Sequence, residues 1–189
     1  MYGLTKDHLA YFHKHKHLEL EELLSSDEVD TINSELEGKS FDLWRTNPSL
    51  KKIILKPELA GLAAELSKVQ PIRIAYDRLI EGPVGKEPLS LIEISAVRKV
   101  ISGVAIQLSS YAGEEPHVPK QKGSGIFFTP YHPLNFPEGC KLLLIVYTES
   151  KALYVYEPRD PNCHALKKLG YAFNDRLRSE THPILYKRG

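Results

Sequence analysis

The chain has 189 residues, 42% of them hydrophobic, which is enough for one domain with a sizeable core. Its formal charge of +1 lacks the basic surplus of a dedicated nucleic-acid binder. The longest unbroken apolar run, residues 142–147, is far too short to cross a membrane. The charge is nonetheless uneven: residues 18–37 hold eight carboxylates and no Lys or Arg, whereas residues 159–189 hold seven Lys/Arg against three Asp/Glu. This predicts two solvated faces of opposite sign, with a weak anionic-ligand site near the C-terminus as the alternative. Cys140 and Cys163 are too few for a disulfide framework and are expected to be buried thiols. The opening stretch "MYGLTKDHLAYF" has neither the charged head nor the apolar core of a signal peptide. We therefore expect a cytoplasmic protein, with no membrane partner.

In chain order, "HKHKH" places His13, His15 and His17 at alternate positions, which on a strand share one face. Such a tract can bind divalent metal weakly, but Lys14 and Lys16 oppose a cation, and the expectation is a solvated strand edge. In "SSDEVDTINSELE", Ser25 and Glu28 form a capping box, and Val29, Ile32 and Leu36 fall on one helical face. Asn47 and Pro48 start a second helix with Leu50, Ile53 and Ile54 as its buried stripe. Pro57 ends that helix and begins another, in which Leu59, Leu62, Ala63 and Leu66 repeat at amphipathic spacing.

From Pro71 onward the pattern changes to short β-rich runs: "IRIAYDRLI", "VISGVAIQL", "GIFFT", "KLLLIVYT" and "ALYVYE". Leu142, Leu144 and Val146 alternate with Leu143 and Ile145, which predicts a strand covered on both sides. Residues 81–88 and 113–125 read as loops. The result is a single α+β domain over 1–189, mostly helical over about 18–69 and mostly β over 71–189, with helices packed on one face of a sandwich or small barrel.

Motifs for chemistry are sparse. No C-x-x-C, H-E-x-x-H, glycine-rich phosphate loop or G-x-S-x-G elbow is present. A non-haem iron site of two histidines and one carboxylate needs H-x-D or H-x-E on a strand plus a distant histidine. The one H-x-E is His17-Leu18-Glu19, which is expected to lie before the helices and outside the sheet. His132, His164 and His182 are scattered beside prolines or in loops.

Several stretches nevertheless carry a family likeness in order along the chain. "HLELEELLSSDEVDTINSELE", "DLWRTNPSLKKIILKPELAGLAAEL" with "IRIAYDRLI", and "GVAIQLSSYAGEE" followed by "GSGIFFTPYHPL" resemble phytanoyl-CoA-dioxygenase-like proteins. The resemblance covers about three quarters of the chain. It implies a double-stranded β-helix (a cupin-like jelly roll) that holds Fe(II) and takes 2-oxoglutarate as co-substrate. The family's H-x-D falls between "IRIAYDRLI" and "GVAIQL"; here that interval reads "LSLIEISAVRKV", with Glu93 as its carboxylate and no histidine. The resemblance pairs the distal ligand with His164 and the 2-oxoglutarate arginine with Arg178. Asp77 is a second carboxylate candidate, and His132 matches a structural turn histidine.

One imidazole and one carboxylate do not hold Fe(II) against water; three ligands of fixed geometry are needed. The sequence therefore predicts a non-catalytic member of this fold, with no cofactor, acting as a binding or interaction protein for a small molecule or protein. The alternatives are an active Fe(II)/2-oxoglutarate dioxygenase with rearranged ligands, or a metal-responsive DNA-binding regulator. The latter rests only on the histidine-rich N-terminus and the basic C-terminus.

Overall fold

The structure is a computed structural model that describes residues 3–36, 38–83 and 90–187. Helix α1, Lys6–His15, opens at Thr5, whose side chain accepts from the His8 amide while the His8 ring caps the Thr5 amide in return. Phe12 is buried and Leu9 packs on the core, so α1 adheres to the domain by one apolar stripe. This corrects the expected strand edge. His13 and His15 are the last residues of a helix, Lys16 turns the chain in a left-handed conformation, and only His17 enters strand β1, His17–Leu20.

The next three helices follow their predicted caps. In α2, Ser26–Glu35, Ser25 and Glu28 cap each other and bury Val29 and Ile32. Asn47 accepts from the Ser49 and Leu50 amides at the start of α3, Pro48–Ile54. Pro57 begins α4, Pro57–Ser67, which buries Leu59, Leu62, Ala63 and Leu66. Between α2 and α3, a 3-10 turn at Leu43–Arg45 is tied to the sheet.

The sheet is antiparallel, with strand order β1-β4-β3-β5-β2-β6. Its other members are β2 (Ile72–Glu81), β3 (Val97–Gln107), β4 (Gly125–Phe128), β5 (Lys141–Tyr154) and β6 (Ile184–Tyr186), and a short helix α5, Leu91–Ile94, precedes β3. Ile72, Ile74, Val104, Ile106, Phe127, Leu143, Ile145 and Tyr147 face the helices. Tyr76, Ile80, Ala105, Ile126, Phe128, Leu142, Leu144 and Val146 face the long loops on the other side. Strand β5 therefore has both faces covered, as its unbroken apolar run requires. It is longer than expected, since "KLLLIVYT" and "ALYVYE" join into one strand across a register shift opposite β3.

One expectation needs correcting. The half after residue 71 is not mostly strand: residues 108–124, 129–140 and 155–183 are loops and turns, with a 3-10 helix at Ala165–Leu169, and they carry much of the second apolar cluster. The loop expected at 113–125 is present as far as Ser124, whereas most of the one expected at 81–88 lies outside the described residues. No ion pair joins the acidic and basic segments among the described residues. β1 and β6 occupy opposite edges of the sheet, and among the described residues the acidic segment pairs with Lys56 and Lys122. Both cysteines are free and buried, and no described helix is long and apolar enough to cross a membrane.

Leu144 sits in the middle of β5 and is 3% exposed. We expect Leu144→Ala to lower stability by about 2–5 kcal/mol, the usual cost of a large-to-small change in a core. Leu144→Asp should give no soluble, cooperatively folded protein, because it buries an unpaired charge. Urea denaturation with an unshifted midpoint in the alanine variant would contradict this placement.

Candidate functional site

Asp77 lies on the helix-facing side of β2 and is fully buried. Its carboxylate accepts from the Leu43 amide at 2.7 Å and the Trp44 amide at 3.4 Å, holding the 3-10 turn against the sheet. Burial first, and then the neighbouring Asp42, push its pKa up to about 7. Glu93 projects from α5, which packs Leu91 on the other face of the sheet, and its side chain is exposed. His164 is exposed, with its ring 6.2 Å from that of Tyr156 and 6.0 Å from that of Phe173. Arg178 donates to the Leu169 carbonyl at 2.7 Å and lies over the Tyr171 ring.

These four residues thus occupy separate places. Among the described residues, Tyr76, Arg78, Leu91, Leu134, Phe136 and Leu144 line a cavity of about 20 Å³ on the loop side of the sheet. That is room for about one water molecule. Fe(II) and 2-oxoglutarate do not fit the residues matched to them.

Three other histidines do meet. His17 begins β1, His117 lies in the loop between β3 and β4, and His132 closes the turn after β4 with its amide on the Thr129 carbonyl. One ring nitrogen from each lies within 4.8 Å of the others. The ring centroids are 4.1 Å apart for His17 and His117, 4.8 Å for His17 and His132, and 5.1 Å for His117 and His132. Among the described residues this is the one group of three side chains so arranged.

Local packing explains the convergence. β1 pairs with β4 so that His17 stands opposite Phe128, and Phe128 in turn stands opposite Gly103 of β3. A Cβ on Gly103 would lie 2.6 Å from the Phe128 ring, so the glycine makes room for this aromatic. His17 lies on the same face of the sheet as Phe128. Burial, followed by the charges of His17 and His117, drives the His132 pKa down to about 4. Burial, and then His117, lowers that of His17. Both rings are therefore neutral at pH 7, the form in which imidazole offers a lone pair.

His17 Nδ1 is 3.1 Å from the His15 carbonyl. That contact requires N–H at Nδ1 and leaves Nε2 as the free acceptor. His132 Nε2 is buried and has no hydrogen-bond partner. His132 is thus a turn residue, as its resemblance implied, and its ring also joins a cluster. The H-x-E at His17–Glu19 is corrected as well. It lies in the sheet, on edge strand β1, with His17 and Glu19 on the same face. His117 carried no motif and sequence reading passed over it; the left-handed backbone that it adopts, with φ of 66°, is visible only in the structure.

The sequence matches no family model and no curated protein. Solved structures do match. The non-heme alpha ketoglutarate dependent carbocyclase SnoK from nogalamycin biosynthesis aligns over 95% of this chain and 96% of its own, with a TM-score of 0.75 and 15% identity. HygX from Streptomyces hygroscopicus, with nickel and 2-oxoglutarate bound, aligns over 92% of this chain and 98% of its own, with a TM-score of 0.60 and 16% identity. CT296 from Chlamydia trachomatis aligns over 78% of this chain and 96% of its own, with a TM-score of 0.55 and 22% identity. The chain therefore has the fold of the non-haem iron, 2-oxoglutarate-dependent enzymes, a mixed helix and strand architecture with helices on one face of an antiparallel sheet.

The C-terminal loop that carries Arg178 is held by a buried charge network. Arg73 donates to the carbonyls of Leu177 and His182, and Arg45 donates to His182 Nε2. His182 Nδ1–H then points to the Tyr171 hydroxyl. Burial, and then Arg45, Arg73 and Arg178, lower the His182 pKa to about 3. Since the unfolded chain binds a proton near pH 6.5 and the folded one does not, this histidine costs stability as pH falls below 6.5. Asp77, raised to about 7, acts in the opposite direction, favouring the fold at low pH and losing that contribution as pH rises from about 4 to 7. Each contributes about 2 kcal/mol between pH 7 and pH 5, so the two slopes largely cancel. We expect His182→Gln to gain stability relative to wild type on acidification over that range, and Asp77→Asn to lose it. Denaturant titrations at pH 5 and pH 7 test both, and parallel pH profiles for wild type and both variants would refute the assignment.

Proposed function

We propose that this chain is a double-stranded β-helix protein of the oxygenase fold that has no Fe(II)/2-oxoglutarate chemistry and acts in the cytoplasm as a binding protein for a small molecule or another protein. The observation that carries this reading is the filled interior. Among the described residues, Tyr76, Leu91, Leu134, Phe136 and Leu144, with Arg78, enclose about 20 Å³ on the sheet face opposite the helices. The placement of Asp77, Glu93, His164 and Arg178 supports it independently. A carboxylate that caps two backbone amides on the helix side of the sheet is unavailable to a metal on the other side. An arginine engaged by a carbonyl and an aromatic ring is not poised for a dicarboxylate. A scaffold can persist after its chemistry is lost, because fold and site are separable.

A DNA-binding role gains no support, since the basic C-terminal segment is partly consumed in internal contacts and the net charge is +1. We expect 2-oxoglutarate to add no shift in melting temperature beyond that of Fe(II) alone, and the pair to yield no succinate. An active dioxygenase saturated at a hundredfold excess over Kd would gain about 2.7 kcal/mol, a shift of several degrees. Succinate formation that disappears in His164→Ala or Arg178→Ala would restore the enzyme reading.

A further inference from the structure

We propose that His17, His117 and His132 form a binding site for one zinc-type divalent cation at the β1–β4 edge of the sheet. The site is separate from the filled interior, so it stands or falls independently of the reading above.

The donor chemistry selects the class of ion. Three imidazoles with no carboxylate among them suit zinc, copper, nickel or cobalt and not magnesium or calcium, which demand oxygen. Three protein nitrogens also leave a fourth tetrahedral position for water or an exogenous ligand. Zn–N bonds of about 2.0–2.1 Å place tetrahedral donors ~3.3 Å apart. The nitrogens here lie within 4.8 Å, so closing the site requires a movement of the order of 1 Å. His117 is exposed on a loop, the element best able to supply it, while His17 and His132 are set by a strand and a turn.

Two further features point to a ligand. His132 Nε2 is buried without a partner, a state that costs free energy unless something fills its lone pair. His17 Nδ1 meets a backbone carbonyl, the outer contact that metal-bound histidines characteristically make and that fixes which nitrogen faces the ion.

Nearby charges permit a cation. The adjoining cleft of about 500 Å³ is lined by His17 and His117 together with the carboxylates of Asp7 and Glu19. Of the lysines that made the histidine tract look unfavourable, Lys16 turns its ammonium onto the His13 carbonyl at 2.7 Å.

The test uses full-length protein stripped with EDTA and titrated with zinc, and in parallel with cobalt(II), whose visible absorption reports tetrahedral coordination. We expect one equivalent to bind, raising the melting temperature by several degrees. His117→Ala, which alters an exposed loop residue, should remain folded and lose more than about 100-fold in affinity. His132→Ala should behave alike, and the His164→Ala control should bind as wild type does. Absence of uptake would overturn the proposal. So would binding that survives both His117→Ala and His132→Ala, or that is abolished instead by replacing the exposed His13 and His15. A metal that binds with this pattern while succinate formation stays absent would support both readings, and succinate formation alone would overturn only the earlier one.

Discussion

Over Leu142–Tyr147 strand β5 has no wet face, and the architecture follows from that. Leu142, Leu144 and Val146 point one way and Leu143, Ile145 and Tyr147 the other, all at 3% exposure or less. A strand like this can exist only between two apolar layers, so the helices must cover one side and something else the other. α2, α3 and α4 supply the first layer with regular stripes. The second comes from irregular chain: the segments carrying Tyr111, Val118, Leu134, Phe136, Leu166, Tyr171 and Leu177. Fully burying each large side chain contributes roughly 1.5–3 kcal/mol, so the loops add to the core on the same footing as the helices.

This division explains what sequence reading recovers and what it loses. Caps and periodicity are local, and Ser25–Glu28, Asn47–Pro48 and the stripe of α4 behave as local rules dictate. The buried status of β5 was equally legible, because a continuous apolar run has few other solutions. The stripe of α1 is short, and the alternation of "HKHKH" imitates a strand more strongly than Leu9 and Phe12 announce a helix. Thr5 decides the matter, since it forms a capping box with His8, a partner outside the usual Glu or Gln pattern. The coil after Tyr154 failed for a different reason. Its aromatics are rich in β propensity, but they pack as single anchors on a sheet already complete at that point.

The histidine cluster was illegible on similar grounds. Its members come from a strand, a loop and a turn, 100 and 15 residues apart along the chain, as their numbers give. They meet because β1 and β4 pair in the register that sets His17 against Phe128. No spacing rule reaches across that pairing. The signal within reach was the H-x-E at His17–Glu19, which was discounted because β1 was placed outside the sheet.

The same loop layer connects the two halves of the functional reading. On the loop side of the sheet, each large side chain that helps to seal β5 from water also removes volume from the interior, and Phe136, Leu134 and Tyr76 do both. Packing of this kind leaves little volume beside Tyr76, Leu134 and Phe136. The rims of the sheet are under no such pressure, since side chains there need only half their surface covered. Imidazole suits such a boundary, because its ring is partly apolar and its two nitrogens can each take a polar partner. Filling the centre and leaving donors at the β1–β4 edge are thus two consequences of one packing solution. The three imidazoles meet at that margin because the pairing of β1 with β4 carries His17 to the edge of the sheet.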